Sequence, residues 1–326
     1  MDECMVSICC ITYNHGKYIR EALESFLCQQ TNFRFEILIH DDASTDNTAE
    51  IIREYEKKYP DKIKAMYQKC NQKSKGFRVG DYLMSKAKGK YIALCEGDDY
   101  WTDNNKLQIQ YNYMESNRKT SLYVHAGERV SIDKKLIKLV SPSNIDKIYT
   151  TEEVLLGGGG LFVTNSMFFR SELLNELPNF YKKCSVGDYP LVVYLSLKGE
   201  IYYSSKVMAA YRVGVEGSWT SEYEVKKELI IKHYYAMNNT LDQINKYTNN
   251  KYLSTINKLN EKRAYRLLIR IGKNYEWNSI FEDIYSQLSL LNKVKLKIEL
   301  ADSYKYFKNI KMKIYKFFVN KRRMEK

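Results

Sequence analysis

From residue 4 to residue 116, short apolar runs alternate with stretches in which apolar side chains recur every three or four positions. The runs Met5–Thr12, Phe35–His40, Ile63–Gln68 and Tyr91–Cys95 predict buried strands. The spacing of Ile19, Ala22, Leu23, Phe26 and Leu27 predicts a helix over Lys17–Gln29. Further helices are expected over Thr48–Lys58, Val79–Ala87 and Asn105–Ser116, with Ser44 capping the first of these and Pro60 closing it. Such alternation implies an α/β fold, a mostly parallel central sheet with helices on both faces. The regularity then breaks. Leu122–His125 and Arg129–Ile132 read as short strands, followed by a polar loop holding Pro142 and by four glycines, Gly157–Gly160, before the apolar segment Leu161–Phe169. Gly187–Leu197 reads as a helix with Pro190 near its first turn, where proline is tolerated. Beyond about Thr220 the pattern is helical and Gly272 is the one remaining glycine, so the expected division is residues 1–220 and a helical region 221–326.

The charge is uneven. The chain carries a net +13, of which residues 290–326 hold +9. Within that stretch Leu300, Phe307, Ile310, Ile314, Phe317 and Phe318 share one helical face, with Lys305, Lys308 and Lys316 mostly on the other and Lys321–Arg323 beyond. A basic amphipathic helix of this kind suits an anionic membrane surface, and equally a helix packed on the body with a solvated face. The seven cysteines are odd in number and form no CxxC pair, which points to reduced, buried thiols and a cytoplasmic setting. No signal-like leader and no spanning apolar stretch is seen, so the expectation is a soluble protein, or one held peripherally on the inner face of the cell membrane.

The candidate chemistry gathers where the predicted strands end. Glu96–Gly97–Asp98–Asp99–Tyr100–Trp101 follows the fourth strand, and open α/β sheets bind ligands at the carboxyl ends of their strands. Crowded carboxylates repel one another unless a cation neutralises them; a hard divalent ion does so and usually also holds substrate phosphates. Thr12, Tyr13 and Asn14 end the first strand, where amides and an aromatic ring suit a base. Asp41 ends the second, where a carboxylate suits a pyrimidine ring N–H. Gly187–Asp188–Tyr189–Pro190 opens a helix, where an acid also has a purely structural reason to sit. Trp101, Tyr189 and Trp219 have faces that suit sugar rings and equally suit packing. The four glycines fit a flap or a plain connector. His15 and His40 sit near strand ends without metal-ligand spacing, while His125 and His233 read as structural.

Val6–Asn14, Ile37–Thr48 and Tyr91–Leu107 resemble the N-terminal half of family 2 glycosyltransferases, inverting enzymes of the GT-A fold. Asn165–Arg170, Gly187–Leu191, Met208–Arg212 and Ser218–Trp219 are similar to bacterial members that build surface polysaccharides, so the resemblance covers about residues 4–220. It implies that Thr12, Tyr13, Asn14 and Asp41 hold the nucleoside of a nucleotide-sugar donor. Asp98 would lie near the ribose and the metal, and Asp99 would bind Mn²⁺ or Mg²⁺ on the diphosphate. Asp188 would be the base that deprotonates the acceptor hydroxyl of a glycan or lipid-linked substrate, with Trp101, Tyr189 and Trp219 on the acceptor side. Tyr211–Arg212–Val213–Gly214 lacks the histidine that many relatives carry there, so that contact is absent or falls to Arg212. The turn at Thr102–Asn105 lacks a common proline. Two other readings stand beside this one. A sugar nucleotidyltransferase would need a glycine-rich basic loop after the first strand, which Thr12–Gly16 lacks. A basic nucleic-acid-binding protein would carry its charge on the folded body rather than in the tail. The helical C-terminal third offers a surface for a homodimer.

Overall fold

The computed structural model describes residues 3–184, 187–218, 227–272 and 279–300. The chain divides into two compact units, Met1–Glu222 and Tyr223–Lys326.

In the first unit β1 (Cys4–Thr12), α1 (Ile19–Leu27), β2 (Arg34–Asp41), α2 (Thr48–Lys58), β3 (Ile63–Tyr67), α3 (Val79–Met84) and β4 (Tyr91–Leu94) alternate along the chain. Then come β5 (Tyr100–Trp101), α4 (Lys106–Ser116), β6 (Thr120–Val130), β7 (Leu136–Val140), β8 (Lys147–Tyr149) and α5 (Thr151–Gly157). Last are β9 (Phe168–Arg170), α6 (Asn179–Lys182), α7 (Asp188–Lys198) and β10 (Glu200–Arg212). All ten strands join one sheet, ordered β3-β2-β1-β4-β9-β6-β10-β5, with β7 beside β6 and β8 beside β10. The first four strands are parallel, and β6 runs parallel to β10. β9, β5, β7 and β8 pair antiparallel, so the parallel character belongs to the N-terminal half.

One core face of that parallel half presents Val6, Ile8, Ile37, Ile39, Tyr91 and Ala93 to Ile19, Leu23 and Phe26 of α1 and Ile52 of α2. Strands buried on both faces read as continuous apolar runs, which is why the sequence marks them clearly. The opposite face carries a buried polar knot. Glu36 accepts from Ser7 Oγ (2.8 Å), from the Lys88 amide (2.9 Å) and from Lys64 Nζ (2.8 Å).

Two local expectations are corrected. β6 is one strand, not two: it pairs with β10 from Thr120 to Val130, and Gly127 admits the Val163 side chain where a Cβ would stand 2.6 Å away. Ser44 does not cap α2. Its hydroxyl donates to Asp41 Oδ1, and Asp46 Oδ1 instead receives the Thr48 amide at 3.0 Å. Of the four glycines, Gly157 ends α5 and Gly158–Gly160 closes into a 3₁₀ turn.

In the second unit α8 (Lys227–Tyr247), α9 (Leu253–Gly272), α10 (Ser279–Ser286) and helical residues 290–300 account for most described positions. Ile230, Tyr234, Leu267, Leu268, Ile271, Phe281 and Ile284 form its core. The amphipathic stretch beyond Leu300, and Trp219, lie outside the described residues.

Candidate active site

Parallel pairing brings three strand ends to one sheet edge. Thr12 pairs with Asp41 across β1 and β2, and the Gly97 amide donates to Ile11 O (2.9 Å), laying the acidic turn against the end of β1. Gly97 is required there, because a Cβ would fall 2.7 Å from Thr12 Oγ1. The loops after β1 and β2 are stitched together. Asn14, with φ of 55°, donates its amide to Ser44 Oγ (2.9 Å) and accepts from the Thr45 amide (2.7 Å). Asp46 receives the Gly16 amide at 2.9 Å. Asn14 is therefore a loop-shaping residue, whereas Tyr13 presents an exposed ring and Thr12 keeps a buried hydroxyl with no protein partner. Asp41 is buried; desolvation raises its pKa, opposed by the Ser44 hydrogen bonds. Its neighbour Asp42 turns away and accepts the Gln72 and Lys73 amides (2.8 and 3.0 Å), which fixes the turn that carries Lys73.

The two aspartates of the acidic turn have different surroundings. Asp99 is 1% exposed; its Oδ1 accepts the Arg212 amide (2.8 Å) and its Oδ2 the Asn165 side-chain amide (3.2 Å). Burial, then the charges of Asp98 and Glu96, drive its pKa well above the carboxylate range. Each oxygen of that carboxylate thus accepts one hydrogen bond, from β10 and from Asn165. Asp98 has no such ties. His15 Nε2 stands 3.7 Å from its Oδ2, and Arg212 donates to its backbone carbonyl rather than to its carboxylate. Arg212 is itself buried, bridged to Glu21 (2.6 Å) and set against the rings of Tyr18 and Tyr100 at 4.7 and 5.1 Å.

Glu96 is exposed on the turn. Desolvation is the first cause of its raised pKa, the charge of Asp98 the next and that of Asp188 a further one, while Lys73 and His15 work against them. Asp188 thus lies within electrostatic reach of the turn. It starts α7, accepts the Tyr189 amide at 2.8 Å, and has its pKa raised by burial. Trp101 and Tyr189, expected on the acceptor side, are both buried. Trp101 is 4% exposed, donates Nε1 to Asn165 O (3.0 Å) and packs on Phe26, with Lys106 Nζ 4.1 Å over its ring. Tyr189 is equally buried and donates its hydroxyl to Leu155 O (3.1 Å).

This division of roles is measurable in two ways. Asp99→Ala leaves two buried N–H donors unpaired, which costs about 2–4 kcal/mol; the urea midpoint should fall accordingly. Unchanged stability with loss of metal-dependent nucleotide binding would place the ion at Asp99. Asp98, raised to about 6 mainly by burial, favours its protonated form in the folded chain. Its contribution to stability is present below the ordinary carboxylate value near 4 and is lost as pH rises towards about 6. In chelator, wild-type melting temperature should decline relative to Asp98→Asn across that window. Parallel curves would contradict the assignment.

Among the described residues no three His, Cys, Asp or Glu side chains converge to hold a metal by themselves. The donor set of Asp98 and Glu96, oxygen only and crowded with like charge, fits a hard divalent ion shared with substrate phosphates. Sequence reading missed Lys73 and Asn165 as members of this neighbourhood. Lys73 is exposed, and its charge reaches Glu96, Asp98 and His15. Only the fold, through the Asp42 anchor, places that lysine here.

The chain belongs to glycosyl transferase family 2, whose model matches residues 7–177. It is 32% identical over 246 residues to the uncharacterized protein Rv1520 of Mycobacterium tuberculosis, covering 73% of this chain and 67% of that one. It is 30% identical over 145 residues to the Escherichia coli UDP-Glc:alpha-D-GlcNAc-diphosphoundecaprenol beta-1,3-glucosyltransferase WfgD, covering 44% and 54%. The fold matches S. aureus TarS 1–349, solved with UDP-GlcNAc, at a TM-score of 0.63 over 92% of this chain and 89% of that one, with 16% identity. The protein is a glycosyltransferase with the GT-A architecture and a helical C-terminal region. That membership sets aside the nucleotidyltransferase and nucleic-acid-binding readings.

Proposed function

We propose that the protein is an inverting, metal-dependent transferase that moves a sugar from a nucleotide sugar, specifically a UDP-sugar, to a hydroxyl of a glycan or lipid-linked acceptor in bacterial surface polysaccharide synthesis. The observation that carries this reading is that Asp98 and Glu96 follow β4 beside the ends of β1 and β2, within the field of Asp188 at the start of α7. Tyr13 and Asp41 at the ends of β1 and β2 suit a base and its ring N–H, and Thr12 offers a buried hydroxyl beside them. Asp98 and Glu96 would hold Mn²⁺ or Mg²⁺ with the diphosphate. The bound ion would supply Lewis-acid stabilisation of the charge developing on the departing nucleoside diphosphate.

Lys73 offers a second cation facing the same phosphates. Arg212 acts through others: it props the backbone of Asp98, and its amide fixes Asp99. Asp188, raised by burial, accepts the proton of the acceptor hydroxyl as the oxygen attacks the anomeric carbon. One displacement inverts that carbon, and the site needs no enzymic nucleophile.

The acceptor class draws support from the name of WfgD, and the UDP donor from that name and from the ligand of TarS. No described helix is long and apolar enough to cross a membrane; the setting proposed is the cytoplasmic side, at or near the membrane. Slow UDP-sugar breakdown in water, read at once by proton NMR, tests the stereochemistry. The first sugar released should carry the anomeric configuration opposite to that of the donor; retention would overturn the single displacement.

A further inference from the structure

The hairpin of β6 and β7 gathers several exposed aliphatic side chains of the first unit. Ile132, Leu136, Ile137 and Leu139 are 49%, 58%, 58% and 47% exposed within eight residues of chain. Leu136 and Ile137 are consecutive on a strand, so they point to opposite faces. Neither face of β7 is covered. Among the described residues β7 pairs with β6 alone, from Val140 opposite Gly127 to Leu136 opposite Val130, which leaves its outer edge unpaired. Lys134, Lys135 and Lys138 are interleaved with the aliphatics and are exposed, against Asp133 in the turn and Glu128 opposite Leu139 on β6.

From this geometry we infer that the β6–β7 hairpin is a docking element for an anionic lipid surface. A protein partner with a flat or grooved surface covers one face of a strand. A fluid headgroup interface closes around both, takes the aliphatic side chains on either side, and leaves the ammonium groups of Lys135 and Lys138 among lipid phosphates. A second copy of the chain is the other natural occupant of an unpaired edge. Two-fold strand pairing through one edge, however, is antiparallel and, centred on β7, sets Lys138 of each copy against the other.

The element is also tied to the site. Lys134, at φ of 62° in the hairpin turn, ion-pairs with Glu21 at 2.5 Å, and the other oxygen of Glu21 holds Arg212. A lipid surface seated on the hairpin would therefore lie beside the acidic turn. Docking of this kind depends on exposure and charge, and holds whichever sugar is transferred.

Flotation of the full chain with phosphatidylcholine vesicles, with and without phosphatidylglycerol, tests it. The wild type should float with the anionic vesicles alone, and high salt should release it. Leu136→Ser/Ile137→Ser/Leu139→Ser should weaken binding at least tenfold, since apolar area no longer enters the interface. Lys135→Glu/Lys138→Glu should do the same, with about fivefold expected for each lysine taken from the lipid phosphates. Near-UV circular dichroism establishes that each variant is folded. Ile137→Trp gives an independent reading: its emission should shift to the blue on anionic vesicles. Equal flotation of the wild type and both variants would overturn the inference and place membrane contact elsewhere in the chain. An unshifted Ile137→Trp spectrum would overturn it too, as would a wild type that ignores vesicles but forms a dimer the triple variant dissolves.

Discussion

Asp188→Asn is expected to cut turnover by about 10²–10⁴-fold, some 3–5 kcal/mol of transition-state stabilisation, while UDP binding stays unchanged. Asparagine keeps the size of the side chain and an oxygen able to accept the Tyr189 amide, so the start of α7 survives. What it loses is the ability to take a proton. Asp188 belongs to the start of α7 rather than to the acidic turn, and its charge bears on Glu96, so its proton-accepting role is separable from donor binding. Steady-state rates beside calorimetric UDP affinity make the comparison. Normal turnover by the amide would remove Asp188 as base. A parallel loss of UDP affinity would make it part of the donor site instead.

Asp98→Asn should produce the opposite pattern: a folded protein whose UDP affinity no longer responds to Mn²⁺. Removing an outer-shell partner of a metal costs about 10–100-fold in affinity, and a direct ligand should cost at least the upper figure. Stability should move the other way. The carboxylate is pushed above its ordinary value mainly by burial, so the amide relieves a charge that the chelated protein holds at a cost. A variant that is inactive yet more stable at neutral pH is the signature of a residue kept for function. Unchanged metal-dependent binding would refute the role.

The parallel half of the fold was legible because strands buried on both faces leave uninterrupted apolar runs, and their order alone places Thr12, Asp41 and Glu96 at one edge. The acidic turn was equally plain. What local sequence could not report was that the two adjacent aspartates have different partners. Asp99 is claimed by Asn165 and by Arg212, 66 and 113 residues further along, and no local pattern reports partners so distant. The same limit explains Lys73, which arrives through Asp42, and Trp101, whose ring is closed off by Phe26 and Lys106. Ser44 misled for a different reason. A hydroxyl just before a helix is a sound cap signal, but here it joins the loops of β1 and β2, and Asp46 bonds the first amide of the helix. β7 was passed over because its apolar residues are exposed on both faces, without the alternation that marks a half-buried strand.

The most direct measurement is calorimetric titration of UDP into the purified chain with Mn²⁺ and with chelator, beside Asp98→Asn. Micromolar binding that needs both the ion and Asp98 is the predicted result. UDP binding of equal strength with or without the ion, or in the variant, would contradict a metal-assisted donor site at the acidic turn.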